Sequence, residues 1–204
     1  MSLTTKTVTG DQFAHWIEPV AELRIRVFRE FPYLYDGDVA YEQRYLQRYQ
    51  ASGQSVLVLA LDGARVVGAS TGLPMRDADS AFQKPFQKPI QDGGADVASL
   101  YYFGESVLLP EYRGTGIGHR FFDERERVAA ELGYAVTTFC AVVRPIDHPL
   151  RPAQYRPHDL FWNKRGYQCR PDLECQYSWL DLGQTEETAK TMRFWVRDRQ
   201  SKDQ

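Results

Sequence analysis

Glu105-Ser-Val-Leu-Leu-Pro-Glu-Tyr-Arg-Gly-Thr-Gly-Ile-Gly118 is the stretch that decides the fold. It predicts the end of an apolar strand, a glycine loop and the first turn of a helix. The small residues let the backbone turn tightly, so that several N–H groups point one way at a helix N-terminus. Those donors, the positive end of the helix dipole and the charge of Arg113 predict a site for a diphosphate.

The spacing of the loop argues against two common nucleotide sites. A P-loop requires a lysine and then serine or threonine after its last glycine, whereas His119 and Arg120 follow Gly118 here. The dinucleotide fingerprint is Gly-x-Gly-x-x-Gly, but these glycines follow Gly-x-Gly-x-Gly. No acidic residue ends an obvious second strand about 20 residues on, as a ribose-binding partner would.

The flanking segments predict a parallel β-α-β crossover. The helix after the loop carries Ile117, Phe121, Val128 and Leu132 on one stripe, and the charged run 123–127 is expected mostly outside it. Glycine 133 is expected to end this helix. The β-branched segment 135–143 and the similar segment 100–109 are typical of strands buried on both faces, and the crossover is right-handed by default.

Periodicity predicts the remaining elements. A short strand is expected at 4–8, helices at 11–30 and 41–49, and a hairpin of segments 55–61 and 65–72 that turns at Asp62-Gly63. A short helix at 157–164 and strands at 174–182 and 192–197 follow. The predicted order is β-α-α-β-β-β-α-β-α-β-β.

This order and the loop resemble the GNAT superfamily of acyl-CoA-dependent N-acetyltransferases. The family signature, Gln/Arg-x-x-Gly-x-Gly/Ala, is matched by Arg113, Gly116 and Gly118. The resemblance implies one α/β domain over residues 1–204, with a mixed, mostly antiparallel sheet of six to seven strands flanked by about four helices. It also implies transfer of an acetyl group from acetyl-CoA to a primary amine of a small molecule.

Three other classes compete with this reading. A catalytically silent acyl-CoA sensor would keep the loop, and a protein or peptide N-acetyltransferase would need an open acceptor groove. A nucleotide-binding oxidoreductase would need the missing dinucleotide spacing.

The resemblance implies a set of acetyl-CoA contacts. In the family, backbone N–H groups of the strand before the loop hold the pantetheine and the carbonyl oxygen, and the loop amides hold the diphosphate. The matching residues here are Val107, Leu108, Leu109, Arg113, Gly114, Thr115, Gly116, Ile117, Gly118, His119 and Trp162.

Glu105 is the candidate base that removes a proton from the amine. The commonest position of the family's glutamate aligns with Gly104, one residue earlier. A one-residue step reverses the face of a regular strand, and a β-bulge would restore it. The alternative is a structural acid paired with an arginine.

Trp162 stands where the family carries a tyrosine that acts as the acid for the leaving thiolate. An indole N–H only donates a hydrogen bond, so Tyr155 is the replacement candidate. The alternative for Trp162 is a packing role in the core.

Substrate contacts are expected from three places. Tyr33 and Tyr35 follow the first helix, with Asp36 and Asp38 beside them to attract a cationic amine, although a turn that packs its aromatic rings on the core is an equal reading. Tyr102 precedes the candidate base. Asp147 and His148 follow the fifth strand, where ligands of open α/β sheets bind.

A long insert at 74–99 separates the third and fourth strands. It contains Phe82 and Phe86 in a near-duplicate at 81–89, then Gly93-Gly94. A connection of this length is usually functional or disordered. A short helix that covers the substrate and a plain surface excursion are equal alternatives.

Composition excludes several partners. Net charge is −2 without a basic block, which argues against general nucleic-acid binding. Apolar runs are too short to span a bilayer, no secretory leader is evident and the histidines lack metal-ligand spacing. The three cysteines leave at least one unpaired. A cytoplasmic protein with reduced thiols, no metal and no membrane contact is expected, and a homodimer stays open.

Overall fold

The computed structural model describes residues 3–87 and 96–199. Seven strands within these ranges form one sheet. They are β1 (Leu3–Val8), β2 (Val56–Asp62), β3 (Arg65–Pro74), β4 (Leu100–Leu108), β5 (Val136–Val142), β6 (Gln168–Leu180) and β7 (Glu187–Asp198). Their order across the sheet is β1-β2-β3-β4-β5-β7-β6, and every neighbouring pair except β4–β5 is antiparallel.

Five α-helices accompany the described strands. They are α1 (Ile17–Phe28), α2 (Val39–Ala51), α3 (Ser80–Gln83), α4 (Ile117–Glu131) and α5 (Asp159–Lys164). The predicted order of elements is confirmed, with the four-residue α3 added inside the insert. The predicted helix at 11–30 begins instead as a 3-10 helix, Gly10–Trp16, and becomes α-helical at Ile17. None of the described helices is long and apolar enough to cross a membrane.

β4 and β5 form the predicted parallel pair, with α4 as the crossover. Their pairing covers only Leu100–Tyr102 against Val136–Thr138 among the described residues. Both strands continue beyond this ladder, to Leu108 and Val142. The two strands therefore separate toward their carboxyl ends and leave a wedge beside the last six residues of β4.

A β-bulge interrupts β4 opposite β3. Ser70 pairs with Ser106 and Gly72 pairs with Phe103, so that two residues of β4 lie opposite Thr71 alone. Those two residues are Gly104 and Glu105. The extra residue changes which face of the sheet the following side chain occupies.

Arg125 of α4 binds the bulge from the face of the sheet opposite α1 and α2. Its Nη1 donates to the carbonyls of Thr71 (3.2 Å) and Glu105 (3.1 Å), and its Nη2 donates to Ser106 Oγ (2.8 Å). The guanidinium lies over the rings of Phe103 and Phe122, 4.3 and 4.8 Å from their centroids.

The prediction that residues 123–127 lie mostly outside the apolar stripe is wrong for Arg125, which is 1% exposed. Burial lowers its pKa to about 10, so the guanidinium keeps its charge at neutral pH. The side chain is buried because two carbonyls at the bulge need donors that the sheet does not supply.

Other predicted elements differ mainly in length. The hairpin turns after Asp62 as expected, with Gly63 at φ +61, and Gly133 follows α4 at φ +86. β6 is longer than predicted because its pairing resumes at 168–170 beyond an irregularity between Arg170 and Glu174, and β7 is longer because residues 187–191 pair with 176–180.

The described part of the insert is folded onto the body of the protein. α3 is followed by a 3-10 turn, Lys84–Phe86, and both Phe82 and Phe86 are buried. The Phe86 ring contacts Phe194 edge-on at 4.9 Å. Gly93-Gly94 and the end of the near-duplicate lie outside the described residues.

Candidate active site

A cavity of about 80 Å³ lies between α1, α2 and the face of the sheet that they cover. By this measure a single water needs roughly 10–15 Å³, so the space accommodates a small organic group. Its lining is dominated by aromatic rings. We call the following six the aromatic wall: Tyr33, Tyr35, Tyr41, Phe82, Tyr102 and Tyr177.

The bulge brings Glu105 into this cavity. Tyr102, Gly104 and Glu105 all line it, although a regular strand would turn Tyr102 and Glu105 to opposite faces. A Cβ atom at Gly104 would lie 1.9 Å from Tyr49 Oη and 2.6 Å from Thr71 Oγ1. Position 104 therefore has no room for a glutamate, and the carboxylate enters from position 105.

Arg24 lies between two buried carboxylates. Its Nη1 is 2.5 Å from Glu105 Oε2, and its Nε donates to Glu42. Glu105 therefore also fits the alternative considered from the sequence, a structural acid paired with an arginine. Arg24 Nη1 and the Thr71 hydroxyl are the donors close to the Glu105 carboxylate, and both act to lower its pKa. Burial raises the pKa of Glu105, against the effect of Arg24 and with a further increase from Glu42.

The tyrosines predicted to contact substrate lie in the cavity wall. Tyr33, Tyr35 and Tyr102 all line the cavity. The Phe82 ring from the insert stacks between Tyr102 and Tyr177, with centroids 5.2 and 4.9 Å away. The insert therefore supplies part of the wall, which favours the covering role over a plain surface excursion.

The two aspartates beside Tyr35 have structural partners. Asp36 pairs with Arg29 at 2.8 Å, and Asp38 accepts the N–H of Tyr41 at 2.9 Å as the N-cap of α2. Neither lines the cavity. Helix capping and the pairing with Arg29 hold both carboxylates outside the cavity, which agrees with the alternative of a turn that packs its aromatic rings on the core.

Asp147 and His148 lie outside the cavity as well. Asp147 is exposed, and His148 packs against Phe31 at 5.7 Å while its Nδ1 accepts the N–H of Leu150. Arg144 holds the start of this loop by donating to Asp181 and to the carbonyls of Pro32 and Tyr33. The loop is consequently fixed on the outer surface, away from Glu105.

Tyr155 belongs to the same outer loop. Its ring contacts Phe31 edge-on at 4.7 Å and lies beneath Arg151 at 4.9 Å. Burial raises its pKa. The structure does not bring Tyr155 into the cavity that Glu105 lines.

Trp162 of α5 makes packing contacts with the sheet. Its ring contacts Phe139 and Trp195 edge-on, at 5.0 and 5.1 Å. His158 lies at 5.7 Å. These contacts agree with the alternative that Trp162 packs against the core.

The glycine loop presents unpaired amides at the start of α4. Gly114 and Gly116 have φ values of +77 and +87, which side chains rarely adopt. The carbonyl of Gly116 accepts the N–H groups of His119 and Arg120. The amides just before them precede the first helical hydrogen bond and have no acceptor within their own helix.

Gly118 and His119 continue this surface. A Cβ atom at Gly118 would have only Phe161 within 4 Å, at 3.8 Å. The His119 ring contacts Phe161 edge-on at 4.9 Å. The Thr115 hydroxyl donates to the carbonyl of Tyr112 at 2.6 Å and so braces the loop.

Arg113 is anchored rather than free. Its Nη2 lies 2.9 Å from Glu30, and its Nε donates to the carbonyl of Leu108 at 3.2 Å. Both members of the ion pair are about half exposed. The expected positive charge is present beside the loop, but a carboxylate already accompanies it.

Of the two backbone N–H groups expected to hold pantetheine at the end of β4, only one points into the wedge. The N–H of Leu109, predicted to hold pantetheine, donates instead to the carbonyl of Val67 on β3 at 3.0 Å. Because alternate amides of a strand point to opposite edges, the N–H of Leu108 points into the wedge. Val107 is buried beneath it.

Comparison with solved structures gives the fold a name. The yncA protein of Salmonella typhimurium, solved with its cofactor acetyl-CoA, superposes with a TM-score of 0.60 at 10% identity over 98% of this chain and 95% of that one. The ribosomal-protein-alanine N-acetyltransferase of Brucella melitensis gives 0.61 at 12% identity over 96% and 99%. The chain has the GNAT fold.

A third GNAT structure agrees. The polyamine N-acetyltransferase of Drosophila melanogaster, which forms N-acetylagmatine, matches with a TM-score of 0.57 at 13% identity over 97% of this chain and all of that one. No protein-family model and no curated protein matches the chain. The predicted GNAT fold is therefore confirmed by shape, and the residues themselves must supply the argument for function.

Sequence reasoning missed three charged residues around the cavity and the bulge. Arg24, Glu42 and Arg125 are 6%, 1% and 1% exposed. Each occupies an apolar stripe of its helix: Arg24 follows Val20 by four residues, Glu42 precedes Leu46 by four and Arg125 follows Phe121 by four. A charge on an apolar stripe was the available signal.

Proposed function

We propose that this protein transfers an acetyl group from acetyl-CoA to the primary amine of a small molecule. The observation that carries the proposal is the buried carboxylate of Glu105. It lines the cavity and lies on the strand that leads into the glycine loop.

The residues around the loop fit acetyl-CoA. The amides before His119 and the N-terminus of α4 suit a diphosphate, and the wedge between β4 and β5 admits an extended chain beside Leu108. Gly116 and Gly118 leave space above the helix, since a Cβ atom at Gly116 would meet nothing within 4 Å. When bound, acetyl-CoA would supply the thioester carbonyl and a thiolate that needs little acid assistance.

Glu105 acts as the base in this proposal. Its pKa is raised by burial, which brings the carboxylate closer to the basicity needed to accept a proton from an ammonium group. Arg24 contacts one carboxylate oxygen, and Glu105 lines the cavity in which the acceptor would lie. Removal of the proton turns the ammonium ion into a nucleophilic amine.

The cavity favours a small acceptor over a peptide. Phe82 covers one side of it, and Tyr33 and Tyr35 cover another. A cavity of about 80 Å³ between these rings suits the body of a small amine better than a stretch of peptide chain. An acyl-CoA-binding protein without catalysis is the second candidate, favoured by the Arg24–Glu105 pair and by Trp162 at the place of the family's acid.

Glu105→Gln separates these two functions. We expect the variant to lose about 10²- to 10⁴-fold in kcat/KM, measured as CoA release over a panel of primary amines. Its calorimetric affinity for acetyl-CoA is expected to be unchanged, because Glu105 lies outside the loop.

Glu18→Gln, an exposed glutamate on α1, is the matched control and is expected to retain full activity. Full activity in Glu105→Gln would exclude the proposed base. Acetyl-CoA binding without turnover of any amine by the wild type would favour the non-catalytic protein.

A further inference from the structure

The charges that line the cavity do not balance. Glu42 and Glu105 contribute two carboxylates and Arg24 contributes one guanidinium. All three are buried. The guanidinium faces both carboxylates and stacks over the ring of Tyr45, 4.2 Å from its centroid. This single positive charge therefore already faces two anions within the cavity.

Two further cations lie against Trp179, whereas Arg125 reaches only the backbone carbonyl of Glu105, from the opposite face of the sheet. Arg144 and Lys190 lie 5.8 and 4.8 Å from the centroid of the Trp179 ring, and both contact Asp181. Neither lines the cavity. Among the described lining residues, none offers an uncommitted positive charge to a carboxylate of the ligand.

The aromatic wall supplies neutral groups only. Three of its hydroxyls bond to neutral partners and one faces a carboxylate: Tyr41 Oη lies 3.0 Å from Tyr177 Oη, Tyr102 Oη lies 3.3 Å from Cys140 Sγ, and the Tyr35 hydroxyl bonds to Glu42. These hydroxyls already have partners and carry no positive charge to balance a buried anion. The ring faces, in contrast, attract a cation by their quadrupole.

We infer that the acceptor is a compact organic ammonium ion that carries no carboxylate, and that the cavity excludes α-amino acids. Glu105 and Glu42 attract the ammonium group, and the aromatic wall holds its apolar body. A carboxylate next to the amine would be buried against two like charges without a free cation. The inference rests on the proposed function and narrows its substrate class.

Matched pairs of amines and amino acids test the inference. Phenethylamine with phenylalanine, tyramine with tyrosine, and isoamylamine with leucine each differ by one carboxylate. We expect kcat/KM to be at least about 100-fold higher for the amine of the pair that reacts best, since like-charge juxtaposition costs several kcal/mol and each tenfold step is 1.4 kcal/mol. An amino acid that reacts as well as its amine would overturn the inference.

Glu42→Gln tests the charge directly, because Glu42 contributes one of the two carboxylates. We expect KM for the best amine to rise and the preference over its amino acid to fall about tenfold. Glu42→Asp is expected to restore much of the preference, and Glu18→Gln to leave it unchanged. An unaltered preference in a folded Glu42→Gln would contradict the charge argument, and if that variant does not fold, the wild-type pairs still decide.

Calorimetry with acetyl-CoA separates failure of the inference from failure of the proposed function. If acetyl-CoA does not bind, the proposed function is wrong and the inference is lost with it. If acetyl-CoA binds and amino acids react as well as amines, only the inference is wrong. If acetyl-CoA binds but no compound reacts, melting with CoA and each compound decides: amine-selective stabilisation supports the ligand class, and its absence overturns it.

Discussion

Arg24, Glu42 and Arg125 show how single charged residues shape the candidate site. Each stands on an apolar stripe, where burial is costly unless the charge is paired and hydrogen-bonded. Arg24 and Glu42 contact each other, and Arg125 donates to Phe121, Thr71, Glu105 and Ser106. The two arginines therefore approach the Glu105 segment from opposite faces of the sheet, one at its carboxylate and one at its backbone carbonyl.

Arg125→Met tests the role of this residue in holding the bulge. The variant leaves the carbonyls of Thr71 and Glu105 without their donor, at a cost of about 3 kcal/mol. We expect the melting temperature to fall by roughly 6–12 °C for a domain of this size. The rate of amine acetylation is also expected to fall while acetyl-CoA affinity is retained.

Arg127→Met is the control two residues along the same helix. Arg127 forms exposed ion pairs with Glu124 and Glu131, which contribute at most about 1 kcal/mol. Equal destabilisation by the two variants would refute the special role of Arg125.

The pH dependence of the reaction reports on Glu105. Because burial raises the pKa of this group, it takes up its proton at a higher pH than an ordinary glutamate of pKa about 4.3. A base must be deprotonated, so kcat/KM is expected to fall as pH decreases through this raised pKa. Glu105→Gln is expected to lack that acid limb, and a limb that persists in the variant would assign it to another group.

At the scale of elements, the bulge determines which side chains of β4 face the cavity, and the glycine loop determines which backbone amides follow the strand. The loop begins directly after β4 and ends in the first turn of α4. Gly116 needs its left-handed backbone to direct the neighbouring amides, and Gly104 leaves space for Tyr49. Backbone conformation, more than side-chain chemistry, thus explains the residue choice at both positions.

Gly116→Ala tests the loop conformation. An alanine in the left-handed backbone conformation costs about 1–2 kcal/mol. If the loop changes conformation to avoid this strain, its amides turn away from the diphosphate. We expect acetyl-CoA affinity to fall about tenfold, measured by calorimetry.

Gly63→Ala is the matched control for Gly116→Ala. Gly63 has φ +61 in the β2–β3 turn, and a Cβ atom there also meets nothing within 4 Å. A similar loss of stability is expected with unchanged acetyl-CoA affinity. Equal losses of affinity would show that the loop has no specific role.

At the scale of the molecule, β4 joins two spaces. Its face toward α1 and α2 lines the cavity, and its edge toward β5 borders the wedge. An acceptor in the cavity and a thioester in the wedge would therefore meet near Glu105 and Leu108. This arrangement requires the parallel pair to separate after Tyr102.

Melting in the presence of ligands tests this arrangement in the whole protein. A ligand at about 100 times its dissociation constant adds about 2.7 kcal/mol of stability. For a domain of this size we expect acetyl-CoA to raise the melting temperature by roughly 5–10 °C. NAD and ATP are expected to have no such effect, and stabilisation by either in place of acetyl-CoA would contradict the proposed ligand.

The sequence by itself determined the order of elements, the glycine loop and the parallel crossover. These features depend on local spacing: apolar periodicity, turn residues and glycines read over short windows. It also indicated Tyr33, Tyr35, Tyr102 and Glu105 as candidate site residues.

The tertiary structure alone decided which side chains share the cavity. The bulge at Gly104-Glu105 arises from pairing with a strand more than 30 residues away, and its carbonyls are bound by Arg125. The same long-range packing keeps Tyr155, Asp147 and His148 out of the lining of this cavity, and Arg144 fixes the start of their loop against Pro32 and Asp181. Contacts between residues distant in the chain leave little trace in local spacing, so the pattern identified the strand while packing chose the face that Glu105 occupies.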